Sequence, residues 1–537
     1  MNFIDALWAS LDRGSIAVVE QHASGPQTTA ARELREKAES CQAALAELGV
    51  VPGDRVALLA PNSAAWIAAD LALLRIGAIS VPLYVRQAVT ELAAMGRDAG
   101  AKLVLVADPA LGDRLLAAWP EARIVALDSL RAAPGAAVPH PRPADAPVTL
   151  IYTSGTSGEA KGVITTRGNV DAMLPATTEA LGELLAAVDG EERVFHYLPL
   201  CFSGSRITLW TALLRRAVVH LSMDLDRVVD EIGAARPHYF LNVPVLLERI
   251  RNRAEAAFRG KGMAIAAVYD RARAAHAGST SLLDRAALAI ARRLLFPAVA
   301  ARLGPDLRFL ICGSAPLTAE TQSFFALLGV QVYQVYGLTE TTAIVTMDRA
   351  GDNRPGRVGH AISAVEVRLG PEDELWVRGP AITPGYWGRA EATAAAFTDG
   401  WFRTGDQVAQ DATGSLAIIG RVKNLLAPTS GHNVPPEPIE EALQAAIPGA
   451  EQVVVIGHGR PHLVALLFGS VTHAQAGIDA VNADLPFYKR VRGFYVRSAL
   501  LTTEDGLLTA NGKLKRPAIE AAFRAEIAAM YDQKGDP

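Results

Sequence analysis

Cysteine is scarce in this chain: three in 537 residues, Cys41, Cys201 and Cys312, too far apart to group as metal ligands. That excludes a disulfide framework and a zinc motif, and it fits a reducing compartment, so the cytoplasm is the expected location. A basic excess is also missing. With 52 Lys and Arg against 56 Asp and Glu, the net charge is −4, which argues against a nucleic-acid partner. Aromatic residues make up only 6% of the chain, while half of it is hydrophobic, the balance of a soluble globular protein. No uncharged run reaches the length of a membrane span, because Arg75 interrupts the apolar stretch around Leu71 to Tyr84. Met1 to Asp12 has no basic start followed by an apolar core, so no signal peptide is expected. A chain this long calls for about two to four domains.

Against these absences stands one dense stretch, Ile151 to Val163, reading IYTSGTSGEAKGV. Gly155, Gly158 and Gly162 alternate with the hydroxyl residues Thr153, Ser154, Thr156 and Ser157, and Lys161 closes the run. Val148 to Tyr152, just before it, reads as a buried strand. Glycine lets backbone N–H groups approach an anion, hydroxyls add donors, and a lysine supplies a point charge. An ordinary surface loop also favours these residue types; the buried strand leading in and the lone lysine set this run apart. The spacing is not that of a Walker loop, since Ala160 precedes the lysine and Gly162 follows it.

The chain alternates helix and strand from Thr28 to about Pro147. Ala31 to Leu48 has a helical period and stops at Gly49; Arg55 to Ala60, Ile79 to Leu83 and Leu103 to Val106 read as strands. This predicts a layered α/β domain with a mainly parallel sheet. Further on, Leu307 to Pro316 (LRFLICGSAP) runs from a strand into a turn at Gly313, Ser314, Ala315 and Pro316, a plausible wall for a nucleotide base beyond a strand's carboxyl end. Val332 to Thr342 reads VYQVYGLTETT. In it Tyr336 offers an aromatic face, Gly337 a close backbone approach, Thr339 a hydroxyl, and Glu340 the hard oxygen ligand that Mg²⁺ prefers. Gly356 to Gly420 changes to a period of two, which reads as antiparallel strands. Asp406 there follows a glycine turn and can accept hydrogen bonds from two hydroxyls.

Taken together, YTSGTSGEAKG, YGLTE, Gly385-Tyr386-Trp387, Trp401 to Asp406 and the closing Asn511-Gly512-Lys513 resemble the adenylate-forming superfamily of acyl-CoA synthetases, luciferases and peptide-synthetase adenylation domains. The resemblance spans essentially the whole chain, with the motifs in order. It implies an α/β fold: a large N-terminal domain of layered subdomains (1–420, with a small β-barrel at about 356–420), a hinge at 421–424 and a small mobile C-terminal lid (425–537). ATP phosphates would meet Thr153, Ser154, Gly155, Thr156, Ser157, Gly158 and Lys161. The nucleoside would meet Gly313, Ser314, Ala315, Pro316, Tyr336, Gly337, Leu338, Thr339, Asp406 and Arg421. Glu340 and Thr156 would bind Mg²⁺, and Thr156, Lys161, Glu340 and Lys513 would carry the catalysis. Lys423 and Asn424 are the implied hinge, where an acidic residue is usual.

The implied reaction is activation of a carboxylic acid by ATP to an acyl-AMP, then transfer to the thiol of coenzyme A. A carrier-protein thiol as acceptor, or a natural-product acid as substrate, is the alternative. A non-catalytic paralogue is disfavoured, because Thr156, Lys161, Glu340, Asp406, Arg421 and Lys513 are all present. The acyl pocket maps to Phe202, Ser203 and Gly204, with Phe202 where the family usually has histidine. Phe195 to Leu200 before it reads as a strand. A long helical region, Phe240 to Leu303, resembles the long-chain acyl-CoA synthetases and points to a medium- or long-chain fatty acid. Its basic first half and its apolar face at Leu283, Ala287, Ile290 and Leu294 suit either packing on its own domain or peripheral contact with an anionic membrane.

Overall fold

The computed structural model describes residues 1–133, 139–154, 160–185, 188, 190–222, 227–429, 432–508 and 512–532. Four sheets organise them. The expected parallel sheet has six strands in the order Ile124–Ala126, Leu103–Val106, Arg55–Leu59, Ile79–Pro82, Pro147–Ser154 and Ala160–Thr166. Its first five are parallel and the last turns back antiparallel. These strands read as unbroken apolar runs because helices cover the sheet. Leu103 to Val106, for example, is buried at every residue.

A nine-stranded sheet lies beside it, with Gln331–Tyr336, Phe309–Cys312, Tyr239–Asn242, Arg193–His196, Val218–Ser222 and Ile16–His22 running parallel through its middle. The expected strand Phe195 to Leu200 is shorter than the sequence suggested and ends at His196. Pro199 lacks an N–H, and the Asn62 side chain donates to the Leu198 carbonyl at 2.9 Å and accepts from the Leu200 N–H at 2.8 Å. A side chain thereby takes the partners that a further sheet strand would use.

The period-two segment forms a five-stranded antiparallel sheet built on Trp401–Gln410, which pairs with Glu374–Arg378, Phe397–Thr398 and Leu416–Arg421. Beyond it, Gln452–Ile456, Leu463–Phe468 and Val491–Arg497 make a three-stranded sheet. From Leu426 onward the buried apolar side chains gather in two clusters of their own. The long helical region is four helices, Pro244–Gly260, Met263–His276, Leu282–Leu294 and Phe296–Leu303. No helix among the described residues is long and apolar enough to cross a membrane.

The two large sheets are joined by a buried ion pair. Arg206, on the helix Ser203–Leu214, donates to Asp70 on the helix Ala64–Ile76, and both side chains are 1% exposed. Ser80 donates to the same Asp70 oxygen at 2.9 Å, Arg206 also donates to Thr149, and Thr149 donates to the Ser80 carbonyl at 2.8 Å. The guanidinium also lies over the rings of Trp210 and Trp66, 4.6 and 5.8 Å from their centroids.

Removing one member of a buried pair leaves the other charge uncompensated. Arg206→Leu is therefore expected to cost about 3–5 kcal/mol, read as a lower urea midpoint by the fluorescence of Trp66 and Trp210. The double variant Asp70→Leu/Arg206→Leu should recover part of the loss. Equal destabilisation in both would show that the pair acts by packing alone.

Candidate active site

The sequence motifs meet at the carboxyl ends of the parallel strands. Strands Pro147–Ser154 and Ala160–Thr166 form a hairpin whose register sets Thr153 opposite Lys161. Gly155, Thr156, Ser157 and Gly158, at its tip, lie outside the described residues, as does the Ser154 side chain. The hairpin is clamped from its far side: Ile164 N–H donates to the Gly385 carbonyl at 3.1 Å and Trp387 N–H to Gly162 at 2.8 Å. Tyr386, between those clamps, joins three motifs. Its ring centroid is 5.2 Å from the Lys161 ammonium, and its hydroxyl donates to Glu340 Oε1 at 3.0 Å. The sequence shows Tyr386 only within the matching triplet Gly385-Tyr386-Trp387 and gives it no role of its own.

Gly313 and Gly337 follow adjacent parallel strands. A Cβ on Gly337 would lie 1.9 Å from the Ala343 carbonyl oxygen, so no side chain fits there. Ser314 takes a left-handed φ of 70°, and Ser314, Ala315 and Pro316 are exposed at the strand end while Gly313 is buried. Leu338 N–H donates to Thr341 Oγ1 at 3.0 Å, which holds Thr339 and Glu340 in a tight turn. Tyr336 donates its hydroxyl to Asp406 Oδ2 at 2.6 Å, and Arg421 Nε meets Oδ1 at 2.7 Å. Asp406 and Arg421 are direct partners in the antiparallel ladder. Burial pushes the Asp406 carboxyl above its usual range, against the lowering influence of Arg421, Tyr336 and Lys513. Both oxygens are occupied, yet each keeps a second lone pair that a hydroxyl can use.

Lys513 arrives from the C-terminal segment. The residue keeps an exposed surface, but its ammonium is held below the usual lysine range, first by burial, then by Arg421, with Asp406 and Glu340 acting to raise it. Lys423 is shifted the same way by burial and by Arg421 and Lys513. Glu437, one residue past Pro436, accepts from the Asn424 side chain at 2.7 Å. A second overlooked residue is therefore Glu437, which ties down the residue expected to act as hinge. On the acyl side, Phe202 precedes the helix Ser203–Leu214, its ring 5.6 Å from Tyr84. Ser203 is buried, and Gly204 leaves room beside Leu241. His196 is 2% exposed and burial lowers its pKa to about 4, a core histidine.

The donor set suits Mg²⁺ of the kind that shares its ligands with phosphate. Among the described residues no three acids, histidines or cysteines cluster to cage a metal; Glu340 would supply one carboxylate beside the hairpin, with phosphate oxygens and water supplying the remaining ligands. Thr156 lies outside the described residues.

A layered α/β body, a glycine-hydroxyl hairpin and a carboxylate-arginine pair beside a tyrosine define an adenylate-forming enzyme. The AMP-binding enzyme family matches residues 8–387 and the AMP-binding enzyme C-terminal domain residues 423–535. The chain belongs to that family. It is 30% identical to the long-chain-fatty-acid–CoA ligase FadD15 of Mycobacterium bovis, over 91% of this chain and 90% of the relative. A feruloyl-CoA synthase of Amycolatopsis is 28% identical over 91% and 93%. Among solved structures, ATP-bound MatB from Rhodopseudomonas palustris superposes with a TM-score of 0.77 at 25% identity, covering 98% and 99% of the two chains. The protein is thus an ATP-using, AMP-forming ligase of the acyl-CoA synthetase type.

Glu340→Gln keeps an acceptor for Tyr386 but removes the charge. Pyrophosphate exchange is expected to fall at least about tenfold, or 1.4 kcal/mol, with the deficit greatest at limiting Mg²⁺. Exchange unchanged at limiting Mg²⁺ would remove Glu340 from the metal site.

Proposed function

We propose that this enzyme activates a medium- or long-chain fatty acid with ATP and transfers the acyl group to coenzyme A. A carboxylate oxygen attacks the α-phosphorus, the bond to the bridging oxygen breaks, and pyrophosphate leaves. The thiol sulfur then attacks the acyl carbon, AMP leaves with the electron pair, and the thiol proton passes to solvent. Mg²⁺, when bound, neutralises charge on the phosphates. The protein's share is positioning and electrostatic stabilisation.

One observation carries the adenylation reading: Lys513, far along the chain from Arg421 and Lys423, comes close enough to act electrostatically on both and on Asp406. Asp406, Glu340 and Glu437 offset part of the repulsion among these cations, and a triphosphate is an anion that would offset the rest. Asp406 with Tyr336 then receives the ribose, and Thr153, Thr156 and Lys161 the phosphates. Residues 421–424 are the proposed hinge and 425–537 the lid, whose rotation exchanges the adenylation face for a thiol-accepting one.

Two features support the finer reading. The acyl side is apolar where Phe202 meets Tyr84 and where Gly204 faces Leu241, which favours aliphatic acids. Coenzyme A as acceptor is supported by an aromatic, cationic run on the C-terminal segment. There Tyr488 stacks on His432 with centroids 4.1 Å apart, Lys489 lies over Tyr488, and Arg492 over Phe487. Stacking faces among cations suit a phosphorylated adenosine.

Incubating the protein with ATP and either coenzyme A or a phosphopantetheinylated carrier, across a panel of acids, tests this reading. The specificity constant should rise with chain length at up to about 0.8 kcal/mol per buried methylene until the pocket ends. A maximum at acetate or at a ferulate-like acid would reject the fatty-acid assignment, and a carrier outcompeting coenzyme A would reject the acceptor.

Lys513→Ala separates the half-reactions. Acyl-adenylate formation is expected to fall by roughly two to four orders of magnitude, while thioester formation from synthetic acyl-adenylate stays near wild type. A lysine with a lowered pKa loses its charge at lower pH than usual, so adenylation should decline early on the alkaline side. Lys513→Arg, which stays charged, should remove that decline. Equal loss in both half-reactions would assign Lys513 to folding or thiol binding.

A further inference from the structure

The helices Met263–His276 and Leu282–Leu294, joined by a short turn, form an antiparallel hairpin within the helical region. The second helix turns only part of its apolar surface inward. Ala287 and Ala291 are buried, but Leu282, Leu283, Ile290 and Leu294 are 79%, 66%, 47% and 70% exposed. Leu283, Ile290 and Leu294 are spaced by seven and four residues, so at 3.6 residues per turn they form one row along the helix. Met263, at the same end of the hairpin as Leu294, is 91% exposed. Scattered exposed leucines need no explanation, but a row of them along one helix does.

Charge tells what could cover it. Residues 244–303 contain eleven Lys or Arg against four Asp or Glu, net +7, in a chain of net −4. On the apolar helix itself, Arg285, Arg292 and Arg293 are exposed and form no ion pair with a described residue. Arg285 and Arg292 lie on the side opposite the Leu283 row, with Arg293 between, so the exposed arc of the helix runs from an apolar edge to a cationic one and the long stem of Arg293 can reach a polar boundary beside the row. A second copy of this chain would bring the same positive segment, and like charges would oppose that contact. An apolar row beside unpaired arginines matches a lipid surface carrying negative headgroups: acyl chains take the leucines and headgroups take the arginines.

We propose that the helix Leu282–Leu294 docks this enzyme on anionic membrane surfaces, lying in the plane of the headgroups without crossing the bilayer. This surface is independent of which acid the cleft accepts.

Sedimentation with vesicles tests it. Wild-type protein should bind phosphatidylcholine vesicles containing about 30 mol% phosphatidylglycerol, bind pure phosphatidylcholine at least about tenfold less, and detach as salt rises. Leu283→Asp/Leu294→Asp and Arg292→Glu/Arg293→Glu should each weaken binding at least about tenfold. Both should keep wild-type pyrophosphate exchange with a water-soluble acid, which shows that they fold. Absent binding of the wild type to the anionic vesicles, or equal binding by all three proteins, would overturn the proposal. So would a wild-type dimer in solution that Leu283→Asp/Leu294→Asp converts to monomer without changing vesicle binding, since the row would then belong to a second copy.

Discussion

A carboxylate and a guanidinium buried together attract strongly only after both have been stripped of water, so such a pair is retained where it fixes geometry. Asp70 and Arg206 are such a pair, and the site depends on where they sit. Asp70 stands on the helix packed on the six-stranded sheet, whose strand Pro147–Ser154 leads into the phosphate hairpin. Arg206 stands on the helix that begins just after Phe202. The pair therefore sets the distance between the half of the site proposed to hold phosphates and the half proposed to hold the acid. Asn62 repeats the device on a smaller scale, pinning Leu198 and Leu200 from the turn that precedes the Asp70 helix. An in-line attack tolerates little misplacement of its two reactants, so rigidity between these halves bears directly on rate.

Much of this was legible in the sequence, for identifiable reasons. Apolar runs bounded by glycine and proline marked the strands, among them the buried strand that leads into the proposed phosphate hairpin. Local patterns could not reveal pairings made across long stretches of chain. Arg55 to Ala60 read as a strand and nothing more, yet the turn that follows it supplies Asn62 and the next helix Asp70; an aspartate inside an apolar helix looks the same whether or not an arginine over a hundred residues away meets it. Tyr386 was visible only as part of a matching triplet, because its role rests on contact with Lys161 and Glu340 from two other segments. The strand at Phe195 was drawn too long because a side chain, invisible to periodicity, takes its backbone partners.

The helical region shows the opposite case. Its charge and its apolar spacing were both readable, but which way the apolar row faces is a property of packing. Ala287 and Ala291, small residues, meet the domain, while the bulkier Leu283, Ile290 and Leu294 remain outside. Burial preference alone would have turned them the other way.

The phosphate hairpin carries one more implication. Its two strands are fixed in register up to the Ser154–Ala160 pair by their own backbone, and its returning strand is fastened at Gly162 and Ile164 by the backbone of Gly385 and Trp387. Lys161 thus owes its place to backbone bonds: side-chain substitutions along the two strands leave it where it is, whereas a slip of one residue in the register would turn it to the opposite face of the strand.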